Sequence, residues 1–298
     1  MEFKHIPVLL EETIQGLNIN PDGIYVDGTI GGAGHSKKII EKLSEKGLLI
    51  GIDRDEEALK AAKENLKDYK NFKLIHGNHD DIKEILTEQS IEKVDGILLD
   101  LGVSSYQLDE RERGFSYNSD NILDMRMDQT QSLTAMDVVN EYSEEKFSRQ
   151  IARNICIERK KQKITTTKML ADIIAKSKPY AKDGHPAKRT FQAIRIEVNN
   201  EIQPLYDTVI NSINCLKEGG RLCIITFHSL EDRAVKDAFL DAQGKCTCPK
   251  DLPYCICNYK SLGKIITKKP IEANKQELEE NSRAKSAKLR IFERREKK

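Results

Sequence analysis

Four glycines stand within seven residues of one another, at Gly28, Gly31, Gly32 and Gly34, in Val26-Asp27-Gly28-Thr29-Ile30-Gly31-Gly32-Ala33-Gly34-His35. Glycine permits close backbone approach and turn conformations barred to other residues, so this segment reads as a cradle for a nucleotide-like cofactor. Two cofactor classes use such a loop, and they differ in charge. A dinucleotide lays its pyrophosphate on the loop and prefers G-x-G-x-x-G, whereas S-adenosylmethionine brings an ammonium and a sulfonium. The glycines here miss the dinucleotide spacing, and Asp27 would repel a pyrophosphate while attracting an amino group. The methyl donor fits better. Asp53 follows Gly28 by 25 residues, where a carboxylate can accept hydrogen bonds from ribose hydroxyls. His79 has a flat ring suited to lie on an adenine, and Asp100 closes a further apolar run that ends in the same crevice. Taken singly, Asp53 or Asp100 could merely cap the helix that follows, and His79 could be an ordinary surface histidine. Together with the loop, three groups at three successive strand ends point to one ligand.

The elements that must position these groups are visible as apolar runs ending in glycine or an acid, at 24–28, 48–53, 72–77 and 94–100. Near-continuous apolar runs of this length suit strands buried on both faces of a parallel sheet. Between the second and third, Ala58, Leu59, Ala61, Ala62 and Leu66 follow helical spacing. Strand and helix alternate, so the first hundred residues read as βαβ units of an α/β fold. The pattern breaks after Asp109 for about ninety residues of helix formers and charges without a convincing strand. It resumes with a helical stripe from Ile202 to Leu216, stopped by Gly219-Gly220 and followed by a strand at 221–227. The organisation expected is a doubly wound domain over 1–109 and 197–298, interrupted by a helical insertion over 110–196. The basic tail from Ala284 is expected to fray or fold back.

Charge separates the insertion from the rest. The chain carries 49 Lys and Arg against 48 Asp and Glu, a net +1, yet residues 1–145 stand at −14 and residues 146–195 at +11. A stretch of that sign inside an acidic protein is an electrostatic footprint for a polyanion, although a solvated helical surface is the plainer alternative. Its candidate contacts are Arg153, Arg159, Lys160, Lys161, Lys163, Lys188, Arg189 and Arg195. The stretch is poor in aromatics, which favours backbone and shape contacts over base stacking.

Seven cysteines in a chain with no secretory signal read as free thiols or a metal site. Cys246, Cys248, Cys255 and Cys257 form two C-x-C pairs that could hold structural zinc or could be a reduced cysteine-rich loop. Cys156, Cys215 and Cys223 sit in apolar settings and read as core residues. No catalytic metal is expected, because methyl transfer needs none. The chain has 298 residues, 38% hydrophobic and 33% charged, which is globular usage with a sizeable core. Its longest apolar runs fall far short of the roughly 20 residues of a membrane span, so no membrane partner and a cytoplasmic location are expected.

The chain resembles the RsmH (MraW) family of bacterial S-adenosylmethionine-dependent methyltransferases, which act on cytidine N4 in the decoding region (P site) of 16S ribosomal RNA. Eight segments carry the likeness in order: HIPVLL (5–10), DGTIGGAGHS (27–36), GILLDLGVSS (96–105), RGFS (113–116), LDMRMD (123–128), RTFQAIRIEVN (189–199), FHSLEDR (227–233) and NSRAKSAKLR (281–290). The resemblance implies a Rossmann-like class I methyltransferase fold with an inserted helical domain that engages RNA. It also implies a donor site formed by Ala33, Gly34, His35, Asp53, His79, Asp100 and Gln107. Position 79 is often Phe in that family. The partner implied is 16S rRNA, within the small ribosomal subunit, and the oligomeric state stays open.

Transfer to an exocyclic amine requires alignment of nucleophile, methyl and sulfur. A cytosine amine is a poor nucleophile, so an acceptor that turns its NH2 group and later receives a proton is useful. Asp100 is the candidate, with Phe227 or His228 near the target base. Many amino-methyltransferases follow this acid with Pro-Pro-aromatic, but here Leu101-Gly102-Val103 follows. The rivals are a nicotinamide-dependent oxidoreductase, a methyltransferase of another nucleic acid, and a non-catalytic RNA-binding assembly factor.

Overall fold

A computed structural model describes residues 7–102, 113–137, 148–177, 185–245, 248 and 260–295. The chain divides into two compact units, one made of 1–102 and 202–298, the other of 103–201. In the first, the chain runs α1 (Leu10–Leu17), β1 (Ile24–Asp27), α2 (Gly34–Ile40), β2 (Leu48–Asp53), α3 (Glu56–Asn65), β3 (Phe72–His76), a short 3-10 turn His79–Asp81, α4 (Ile82–Glu88) and β4 (Val94–Asp100). The second supplies α5 (Ser148–Lys161), α6 (Thr167–Ser177) and α7 (Lys188–Asn199). The first unit then resumes with α8 (Leu205–Cys215), β5 (Leu216–Thr226), α9 (Ser229–Gln243), β6 (Gly263–Ile265), α10 (Lys275–Glu280) and β7 (Lys288–Arg294).

The sheet order is β3-β2-β1-β4-β5-β7-β6. The first five strands are parallel, and β7 runs antiparallel to both β5 and β6. This is the Rossmann-like arrangement that the resemblance implies. Alternate residues of each strand feed opposite faces. Ile50, Ile52, Ile97, Leu99, Leu222 and Ile224 pack with α4, α8 and α9, while Leu49, Leu98, Cys223 and Ile225 pack with α1, α2 and α3. Covering both faces explains why the parallel strands read as unbroken apolar runs. Strand order reverses between β1 and β4, and it is at such a switch point, outside the carboxyl ends of the strands, that open α/β sheets bind their ligands.

One element differs from the sequence expectation, and the basic tail follows the second of the two courses expected of it, folding back. The helix before β5 ends at Cys215 and not at the glycine pair, because Leu216 is already extended and pairs with Val94. Gly219, at φ 79°, and Gly220 instead lie within the strand, where the register shifts between Val94 and Gly96. The basic tail is not frayed: Lys288–Arg294 is inserted between β5 and β6, with Leu289, Ile291 and Phe292 buried. Its Arg290 is buried against Asp232 at 2.7 Å, so a charged residue occupies an interior position by pairing. Cys215 and Cys223 are core residues, but Cys156 is only half-buried.

The 103–201 unit has its own core, in which Phe115, Leu123, Met125 and Met127 pack with Ile151, Ile155, Leu170, Ile174, Phe191, Ile194 and Val198. Buried Asn199 stitches the segment to α7. Its Nδ2 donates to the carbonyls of Met125 and Arg195, and its Oδ1 accepts from the Met127 amide at 2.8 Å. No strand longer than an isolated bridge, Ile122 with Thr166, occurs among the described residues of this unit.

Candidate active site

The glycine loop that follows β1 is sewn to the ends of β2 and β4. The amide of Gly28 donates to the Leu98 carbonyl of β4, and that of Ile30 to the Ile52 carbonyl of β2. Gly31 N–H donates to Asp53 Oδ2 at 2.9 Å, and the Asp100 amide donates to Thr29 Oγ1 at 2.6 Å. Gly28 is required by space, since a Cβ there would lie 2.5 Å from Leu99 and 3.1 Å from His79. At Gly34 the same atom would meet Pro7 at 2.5 Å. Ala33, at φ 63°, is a left-handed residue that starts α2. For a residue with a Cβ this costs about 1–2 kcal/mol, strain of the kind that collects at functional sites.

Asp27 is buried at the end of β1, and both its oxygens are used locally. Oδ2 accepts from Ser36 Oγ at 2.7 Å and Oδ1 from the Thr29 amide at 3.2 Å. Burial pushes its carboxyl up to about 6 against these hydrogen bonds. Its first task is therefore to hold the loop against α2. Asp53 uses one oxygen for Gly31 N–H and the other for the Asp55 amide at 2.9 Å. Each carboxylate oxygen keeps a further lone pair for a ribose hydroxyl. His79 caps the crevice from the 3-10 turn after β3. Burial lowers its pKa to about 4, opposed by Asp80 at 3.7 Å, so the ring is neutral near pH 7. A neutral flat ring in this position suits stacking on a base.

Asp100 is a strongly perturbed acid. Burial pushes its pKa up to about 8, with the Asp27 and Glu231 charges adding to the shift. Its Oδ1 is buried and has no hydrogen-bond partner, and its Oδ2 lies 3.7 Å from His35 Nδ1. The other nitrogen of His35 is 2.9 Å from the Val8 carbonyl, which orients the buried ring. A buried oxygen without a partner is costly, and it marks a place where a donor group belongs.

The structure settles the position of the two residues after β5. His228 starts α9 as part of a capping box, its Nδ1 accepting from the Glu231 amide at 3.4 Å and its Nε2 lying 3.0 Å from Glu231 Oε1. Nδ1 is committed to the helix start, whereas the buried Nε2 makes no hydrogen bond although it lies close to the Glu231 carboxylate. Glu231 Oε2 accepts from the Phe227 and His228 amides, at 2.8 and 3.2 Å. Phe227 is half-buried, and its ring would lie 3.5 Å from a Cβ on Gly102, just past Asp100. An aromatic side chain thus stands beside the β4 exit, although the β4 sequence has none. Residue types could not reveal this, because it depends on the β4–β5 register Asp100 with Ile225.

Ala33, Gly34, His35, Asp53, His79 and Asp100 all line the carboxyl ends of β1 to β4 or the loop between them. Gln107 lies outside the described residues, as do Cys246, Cys255 and Cys257. Cys248 is half-exposed. In the 103–201 unit, Arg153, Lys160, Lys161, Lys163, Lys188 and Arg189 are exposed, and Arg159 is half-exposed. Arg195 departs from the expectation of a solvent-facing cation. It makes two hydrogen bonds to Glu201, at 2.9 and 2.7 Å, and its side chain is only 16% exposed. No described helix is long and apolar enough to cross a membrane.

Comparison with known proteins gives a consistent result. The model of the MraW methylase family matches residues 2–295. A protein of Clostridium botulinum (strain Kyoto / Type A2) named ribosomal RNA small subunit methyltransferase H is 57% identical over 305 residues, spanning 98% of this chain and 99% of that protein. Ribosomal RNA small subunit methyltransferase H 2 of Agathobacter rectalis is 54% identical over 310 residues, spanning 98% of this chain and 99% of its own length. A relative of the same name as the first, from Lachnospira eligens, is also 54% identical, over 99% of this chain and 98% of its own.

Proposed function

Because the chain belongs to the MraW methylase family, we propose that it methylates the N4 amine of a cytidine in the decoding region (P site) of 16S rRNA, within the small ribosomal subunit. It is a methyltransferase of small-subunit ribosomal RNA with S-adenosylmethionine as methyl donor. The observation that carries the finer reading is Asp100: a buried carboxyl at the end of β4, one oxygen without a partner, in a crevice whose glycine loop leaves no room for a Cβ at position 28. That donor set also fits the cofactor. Acidic, hydroxyl-accepting and flat neutral groups suit a cationic nucleoside and would repel a pyrophosphate.

When bound, S-adenosylmethionine supplies an electrophilic methyl carbon on a positively charged sulfur. Asp53 accepts from the ribose hydroxyls with the lone pairs that Gly31 and Asp55 leave free. His79 offers its neutral ring to the adenine, and the Ala33-Gly34-His35 turn lines the crevice at the start of α2. Asp100 Oδ1 accepts a hydrogen bond from the target NH2 and so turns the nitrogen lone pair toward the methyl carbon. The amine that receives this methyl would acidify, and Asp100 Oδ1, in its ionised form, would take the proton. That uptake needs the ionised carboxylate, and a carboxyl with pKa about 8 loses its own proton only as pH rises through that value, so methyl transfer is expected to speed up as pH rises from 7 through 8. Phe227, held by the Glu231 carboxylate at its backbone, walls the base on the β5 side. A target base reaches such a crevice only when unstacked. Exposed Lys160, Lys161, Lys163 and Arg189, with Arg153 and Arg159, are the phosphate contacts in the 103–201 unit.

The test is transfer of labelled methyl to unmodified small subunits, read by nucleoside mass spectrometry. N4-methylcytidine is expected with the intact protein and is expected to vanish with Asp100→Ala. Methyl appearing on another atom or base would overturn the N4 assignment, and a product formed on free RNA but not on subunits would overturn the subunit context.

A further inference from the structure

The basic stretch is poor in aromatics, and charge alone predicts only phosphate contacts for it. The folded 103–201 unit nonetheless joins two rings from distant parts of its sequence. Tyr117 and His185 stack with centroids 4.5 Å apart and planes 13° from parallel. Tyr117 is itself wedged edge-on against Phe191, at 5.7 Å and 87°, and Phe191 is a buried core residue of α7. The tyrosine ring is therefore oriented from beneath by the core. His185 lies on it as an exposed outer ring. Its Nδ1 accepts from the Ala187 amide at 3.2 Å, which pins the rotation of the imidazole. Lys188 and Arg189 follow at once in α7, and both are exposed.

We propose that the Tyr117–His185 pair is a stacking platform for one unpaired nucleobase of the RNA substrate, with Lys188 and Arg189 taking the flanking phosphates. The proposal rests on the RNA-methylating function above and names a contact for it. Charge complementarity selects the occupant, because the outer ring, His185, lies in the 146–195 stretch of net charge +11 and is followed at once by the exposed cations Lys188 and Arg189. A π-face flanked by cations is what an unstacked base with its backbone requires, and stacking tolerates any base. Both rings are held before the RNA arrives, so little side-chain freedom remains to be lost on binding.

The experiment compares wild type with His185→Ala, His185→Phe and a Lys188→Gln/Arg189→Gln double variant, using single-stranded rRNA oligonucleotides carrying 5-iodouridine and whole small subunits. His185→Ala is expected to weaken RNA binding roughly tenfold and to raise KM for subunits, the effect of losing one stacked base. Thermal stability and donor affinity are expected to stay at the wild-type level, and His185→Phe to restore binding. The salt dependence of binding should be unchanged in His185→Ala and shallower in the double variant, because only the latter removes phosphate contacts. Photo-cross-links in the wild type should fall on the peptides carrying Tyr117 or His185. Unchanged binding and KM in His185→Ala, or a loss of binding that His185→Phe does not restore, overturns the platform while leaving the methyltransferase reading intact. A wild type that neither binds the RNA nor methylates subunits overturns both.

Discussion

Asp100 carries opposite consequences for stability and for chemistry. Its pKa rises to about 8 in the folded chain from an unfolded value near 3.9, so between these two values the folded state keeps a proton that the unfolded state has released. Stability from this group therefore falls as pH rises through that window, and the penalty is complete above about pH 8. Asp100→Asn removes the penalty. The variant should melt above the wild type at pH 8.5, with the gap shrinking toward pH 5, where both side chains are neutral. A pH-independent gap in a melting series would contradict the buried-acid reading. Methyl transfer by the same variant should drop by about 10²–10⁴-fold, the usual worth of a positioned proton acceptor. Asp53→Ala separates a second role. It removes the acceptor for the ribose and the tether of Gly31, so the donor Kd, measured by calorimetry without RNA, should rise at least tenfold.

At the scale of elements, the loop depends on contacts that no residue type announces. Gly28→Ala would place a Cβ 2.5 Å from Leu99 on the neighbouring strand. Overpacking of this kind costs about 1–3 kcal/mol, so a lower Tm and a weaker donor Kd are expected together. Asn199→Ala tests the other unit: it leaves the buried Met127 amide without its partner, which costs about 1–3 kcal/mol, and the donor Kd should hold. β1, β2 and β4 are legible in sequence because parallel strands buried on both faces must be apolar almost throughout, and the edge strand β3 is legible from Phe72, Leu74 and Ile75. Asp53 and Asp100 are legible for a related reason, since the acid that ends such a run sits at the strand's carboxyl end. β7 is not legible. Lys288-Leu289-Arg290-Ile291-Phe292-Glu293-Arg294 mixes charges into a strand interior, and only the pairing of Arg290 with Asp232 and of Arg221 with Glu293 makes that tolerable. The same limit hides Phe227, whose place beside Gly102 follows from strand register, and the Tyr117–His185 stack, which follows from the packing of Phe191.

For the whole molecule, a net charge of +1 conceals a division of labour. The acids proposed to meet a cationic donor belong to the unit of 1–102 and 202–298, while the exposed run Lys160, Lys161 and Lys163 belongs to the 103–201 unit. Lys161 also pairs with Glu158 at 2.8 Å, but the pair is exposed and solvent-screened, so it yields readily to a phosphate. Replacing Lys160, Lys161 and Lys163 by Gln should therefore weaken RNA binding in a salt-dependent way. Each lost contact to single-stranded RNA should flatten the slope of log K against log salt by about 0.7. Donor affinity without RNA should match the wild type, because every donor-site side chain described lies in the other unit. With saturating RNA kcat should also hold, since the substitutions alter no donor-site side chain described. A KM effect alone identifies these lysines as substrate-holding groups; a fall in kcat at saturation would instead show that the basic run takes part in aligning the target base.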